Sequence, residues 1–111
     1  MDATTELYNE ADRLKDDGEN EAALQKLEEL LAQEDTHALA HSAMAVLYGK
    51  VGQHEKAIEH GLRVCELEPD DAFSFTALSV TYQRAFAGTN KQQYIQLAED
   101  AMAKSKTMSG H

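Results

Sequence analysis

The side chains able to do chemistry in this sequence are five histidines, one cysteine and a run of acids. His37 and His41 are four residues apart, which on a helix puts two imidazoles on one face, as zinc ligands often stand. No third ligand appears at a matching spacing, so neither a metal nor a cofactor is expected. His60 lies next to Glu59 and five residues before Cys65. No third group is placed to orient a Cys–His pair, so a nucleophile is not expected. Asp16, Asp17, Gly18 and Glu19 have the charge of a calcium loop but lack its alternating ligand spacing, and read as a solvated turn. The six glycines are scattered, and no phosphate-cradling loop can be assembled from them. The chain is therefore not expected to be an enzyme.

A binding role has to come from a surface, and the length bounds what kind. At 111 residues the chain is expected to be one domain, spanning 1–111, with a single packed core. Apolar residues make up 42% and charged residues 27%, ordinary values for a globular chain. No run reaches the ~18 apolar residues of a spanning helix. Asp2, Glu6 and Glu10 interrupt any leader-like opening, so the expected location is the cytoplasm. The lone Cys65 excludes an internal disulfide. A net charge of -10 argues against nucleic acid and anionic membrane as partners. The charge is uneven. Residues 1–35 hold twelve acids and three bases, residues 36–71 six and three, and residues 72–111 two and four. The N-terminal end is acidic, which serves solubility and could also orient a partner.

The period of the sequence decides the fold. Residues 4–37 align with residues 38–71 without a gap, so that Ala11 lies over Ala45, Leu14 over Tyr48, Gly18 over Gly52 and Ala23 over Ala57. A further shift of 34 places Phe75, Leu78, Ser79 and Tyr82 under His41, Met44, Ala45 and Tyr48. Each unit reads as two helices, with apolar residues recurring at three and four. The breaks are expected at Asp17-Gly18, Val51-Gly52 and Gly88-Thr89, where glycine can end a helix in the left-handed conformation. Thr89 and Gln92 fit a capping box for the last helix. Pro69 punctuates the junction between the second and third units.

These offsets resemble the tetratricopeptide repeat, whose 34-residue unit carries Leu-small, Tyr, Gly, Ala, an aromatic, a small residue and Pro at fixed places. The second unit matches through Met44, Ala45, Tyr48, Gly52, Ala57, Val64 and Pro69, and the first through Leu7, Ala11, Leu14, Gly18, Ala23, Leu27 and Leu30. The resemblance implies an all-α fold, a right-handed superhelix of three antiparallel helix pairs, with repeats at 4–37, 38–71 and 72–107. In the third repeat Ala85–Lys91 is too long for the standard turn, by about three or about seven residues. His41 and His54 fall on packed positions. Gly61 stands where a bulky residue is usual, and Phe73 or Phe75 is expected to fill the space.

The resemblance also implies where a partner sits, along the concave wall built from the first helix of each pair. By register that wall carries Tyr8, Asp12, Leu39, Ser42, Val46, Phe73, Thr76, Val80 and Gln83. Related proteins that grip acidic chaperone tails use Lys, Asn and Arg at positions occupied here by Tyr8, Asp12, Ala43, Phe73 and Ala77. None of these matches, and Asp12 has the wrong sign, so a chaperone-tail adaptor is excluded. What replaces the clamp is apolar. The expected function is protein–protein interaction, as a scaffold or adaptor holding a peptide or helix in an apolar groove. The alternative is a self-assembly unit that dimerises through the groove or the C-terminal edge.

Overall fold

A computed structural model describes residues 2–110, so Met1 and His111 at the ends of the expected domain lie outside the described residues. Six helices make up the described chain: α1 (Ala3–Asp16), α2 (Asn20–Gln33), α3 (Ala38–Lys50), α4 (His54–Leu67), α5 (Ala72–Thr89) and α6 (Gln93–Ser109). They pack as three antiparallel pairs, α1 with α2, α3 with α4 and α5 with α6, and the pairs stack through α2 on α3 and α4 on α5. The described residues contain no strand. The fold is the all-helical, repeat-like stack that the 34-residue register implies.

Local chemistry explains the helix ends. The Asp2 carboxylate accepts from the Thr5 N–H at 2.8 Å and the Thr4 hydroxyl at 2.9 Å, capping α1. The Thr5 backbone N–H is the main reason that this carboxyl lies below its ordinary pKa. Gly18 and Gly52 take φ of 80° and 82°. The N–H of the residue after each glycine returns 2.8 Å to Leu14 O and Tyr48 O respectively, closing both helices with the expected motif.

The third pair departs from expectation. Gly88 does not break the chain; α5 runs through it to Thr89 and is 18 residues long, against 13 for α3. The stop is Asn90, at φ 60°, with its N–H on Phe86 O at 2.7 Å. Asparagine is among the few side chains that tolerate this conformation. The connection into α6 is three residues, as in the other two pairs. The extra residues therefore lengthen the helix and leave the turn at ordinary length. No capping box forms either: the Thr89 hydroxyl donates to Ala85 O at 2.7 Å, and Gln92 makes no side-chain cap.

The core has two clusters. One joins the first two pairs through Ala11, Leu24, Leu27, Leu30, Met44, Leu47, Tyr48 and Ala57. The other joins Cys65 to the third pair through Leu78, Tyr82, Ala85, Tyr94, Ala98 and Ala101. Ala11, Ala45 and Ser79 are all buried, and Tyr48 and Tyr82 are buried one turn on from Ala45 and Ser79. The Ser79 hydroxyl donates to Ala98 O at 2.8 Å, tying α5 to α6.

Gly61 marks a close approach, though not of the expected aromatic. A Cβ built there would sit 3.2 Å from Leu78 Cδ1, so it is Leu78 that uses the space. Phe73 instead points to solvent, 80% exposed. Gly88 admits His54 in the same way: a Cβ on it would overlap the imidazole ring.

Candidate functional site

The first helices of pairs two and three run side by side and leave a groove of about 490 Å³ between them. Its α3 wall presents Leu39, Ser42 and Val46, and its α5 wall Phe73, Ala77, Val80 and Thr81. Ala45, Gly61, Val64 and Leu78 form the floor. The missing side chain at Gly61 lets Leu78 settle onto α4. Leu39 and Val46 are seven residues apart, as are Phe73 and Val80, so each wall is two helical turns of apolar surface. Leu39 is 61% exposed and Val46 38%, so Leu39 leaves most of its surface to solvent and Val46 more than a third.

Charge sits at the two ends of the groove. Arg84 lines it beyond Val80, while Glu68 and Asp71 line it beside Phe73. All three are exposed. None takes part in an ion pair among the described residues. The Asp71 carboxylate accepts from the Phe73 N–H at 2.9 Å and caps α5.

Five of the nine residues placed on the wall from sequence meet in this groove: Leu39, Ser42, Val46, Phe73 and Val80. The other four lie elsewhere. Thr76 turns toward α6, its hydroxyl 2.6 Å from that of Ser105. Gln83 donates to the Ser79 hydroxyl at 3.2 Å and lines a separate hollow of about 440 Å³ with Phe86, Ile95 and Met102, at the C-terminal edge. Tyr8 stacks on His37 with ring centroids 5.8 Å apart. Asp12 pairs with Lys15 at 3.3 Å. Tyr8 and Asp12 border a crevice of only about 10 Å³, so the wall of the first pair is nearly closed. The floor contributions of Gly61 and Val64 were not legible, because register places second helices behind the wall.

His37, His41 and His60 are used structurally. His37 Nδ1 accepts from the Ala40 N–H at 3.1 Å and caps α3. His41 does not join it. It is buried, with Nε2 2.8 Å from Asp35 O and Nδ1 2.9 Å from Nδ1 of His60, a partner 19 residues away. His60 also stacks on Tyr48, ring centroids 5.6 Å apart. Burial, reinforced by His41, pushes the His60 pKa down. Burial and the neighbouring Glu28 carboxylate push that of Tyr48 up. Cys65 is buried with its thiol on Ser74 O at 3.4 Å, and burial raises its pKa, which suppresses the thiolate. Among the described residues, no three His, Cys, Asp or Glu side chains gather as a metal site would need. No described helix is long and apolar enough to cross a membrane.

Solved structures share this architecture. A crystal structure of MamA superposes with a TM-score of 0.81 at 18% identity, over 95% of this chain and 57% of that one. A second MamA crystal structure gives 0.72 at 18% identity, over 97% and 59%. The chain thus spans under three fifths of the length of either, and the likeness is one of fold. No protein-family model and no curated protein sequence matches it.

Proposed function

We propose that the chain is a protein-interaction module that takes an apolar partner segment into the groove between α3 and α5. The observation that carries this reading is the exposure of Phe73 opposite Leu39, two large apolar side chains at the mouth of one groove. Contiguous apolar surface of this kind marks contact sites. Fully burying an exposed apolar side chain is worth about 1.5–3 kcal/mol; Phe73 and Leu39 stand to gain most of it, while Val46 and Val80 are already partly buried and add less. Phe73 is the anchor, since an aromatic brings large area at low entropy cost. The chaperone-tail mode has no support, because Tyr8, Asp12, Ala43, Phe73 and Ala77 supply no cation or amide for a terminal carboxylate. The reading assigns no catalytic step, in keeping with a suppressed Cys65 thiolate and with His37, His41 and His60 engaged with the backbone and each other.

The test is the double variant Phe73→Ala with Val80→Asp, assayed for capture of partner from the native host. Lost association with unchanged helical circular dichroism supports the groove. Unchanged association places the contact elsewhere.

A second reading, self-assembly, is favoured by the apolar hollow of Phe86, Ile95 and Met102 at the C-terminal edge. Light scattering separates the two. A monomer favours the partner-binding reading, and a dimer dissolved by Ile95→Asp favours the edge.

A further inference from the structure

We propose that the occupant of the groove is an amphipathic helix of a partner protein, acidic in its first turn, where it meets Arg84, and basic in its last, where it meets Glu68 and Asp71. This rests on the groove reading above and adds the partner's conformation, charge and direction.

The conformation follows from what the walls can bond. An extended peptide brings an N–H and a C=O at every residue, and each must find a partner when buried. The walls are helices, whose backbone groups are engaged internally. Their facing side chains, Leu39, Val46, Phe73, Ala77 and Val80, have nothing to donate or accept. The Thr81 hydroxyl is already given to Ala77 O at 3.0 Å. Ser42 and Ser74, with Arg84, Glu68 and Asp71 confined to the ends, are too few to satisfy every N–H and C=O of a strand. A helix satisfies its own backbone and needs only apolar surface. Each wall offers two large contacts about 10.5 Å apart, two turns of helix, which suits partner residues at i, i+3 or i+4, and i+7.

The direction follows from the ends. Phe73 and Arg84 are eleven residues apart on α5, about 16 Å along its axis. Glu68 and Asp71 mark one end, Arg84 the other, and none is neutralised by an ion pair among the described residues. Acids in a first turn and bases in a last turn also suit the partner helix's own dipole. Such a helix lies antiparallel to α3 and α5.

The experiment uses three labelled 16-residue peptides and fluorescence anisotropy. The first has leucines on one face of an alanine-rich helix, glutamates in its first turn and lysines in its last. The second exchanges the glutamates and lysines. The third carries two central prolines that forbid the helix. The first is expected to bind about tenfold more tightly than either of the others, with Arg84→Glu reversing the preference between the first two. Equal binding of the first and second overturns the charge assignment. Equal binding of the third overturns the helix. If no peptide binds, or if Val80→Asp leaves binding unchanged in a folded protein, the groove reading itself falls. A chain that is already dimeric, and that Phe73→Ala with Val80→Asp returns to monomer, overturns the proposal in favour of a second copy.

Discussion

His41 and His60 meet Nδ1 to Nδ1 at 2.9 Å across the α3–α4 contact. His41 Nε2 faces Asp35 O, which can only accept, so that nitrogen carries the proton. In the neutral pair His41 Nδ1 is then the acceptor and His60 Nδ1 the donor. One added proton is tolerated, but two would set N–H against N–H. The groups around His60 are Glu59 and Lys56 from its own helix, Tyr48 and His41 from α3, and Glu28 from α2. Burial and His41 prevail over the two carboxylates, so the folded chain binds the proton less readily than the unfolded chain. The stability contributed by His60 is complete above its unfolded value of about 6.5 and falls as the pH drops below it.

The expected outcome is a urea midpoint lower at pH 5.5 than at pH 7.5, with a smaller difference in His60→Gln. The His60 ring protons, followed by NMR, should titrate with a midpoint below 6.5. A midpoint above that value would mean the carboxylates dominate the site.

At the start of α4, His54 occupies the space that Gly88 leaves open, with its Nδ1 buried and unbonded. Gly88→Ala on an open helix would stabilise by about 1 kcal/mol. Here the added methyl strikes the ring, so a net loss of about 1–3 kcal/mol is expected. Introducing His54→Ala alongside should recover part of that loss. Additive losses in the double-mutant cycle would show that the two residues do not touch.

Ala11 tests the register. It is buried in the cluster of the first two pairs beside a crevice of only about 10 Å³, and Ala11→Leu should overpack the contact at a cost of about 1–3 kcal/mol. Thermal denaturation of the variant at the parent midpoint would put the small-residue stripe on the wrong face.

Cys65 should be slow to react. With the thiol buried and its pKa raised, aromatic disulfide reagents are expected to modify it far faster in 6 M urea than in buffer. Rapid labelling of the folded chain would show that the α4–α5 contact opens readily.

The features legible in sequence are those in which backbone geometry or close approach restricts the residue type. Gly18 and Gly52 hold positive φ, and Ala11 and Ser79 sit where a larger side chain would push helices apart. The end of α5 was misjudged because two residues there can break a helix. Gly88 was needed for packing, which left Asn90 to make the turn. The groove was legible where wall residues repeat at 34, as Leu39 with Phe73 and Val46 with Val80. It was not legible where a hydroxyl had a closer partner, as Thr76 has in Ser105, or where stacking closed the wall, as Tyr8 does on His37. The His41–His60 pair joins two helices and has no spacing that announces it.

The division of the core gives α4 two allegiances: Ala57 belongs to the cluster of the first two pairs, while Cys65, with Ile58 packed beside it and His54 against Gly88, faces the third pair. A helix shared in this way is a seam. Opening the third pair uncovers one face of α4 along its length while the opposite face stays held by the first two pairs. The groove floor includes Gly61 and Val64, on the side of the seam toward Cys65. An occupant that spans α3 and α5 therefore stitches the two clusters together, and its binding energy appears as cooperativity between halves that the free chain holds more loosely.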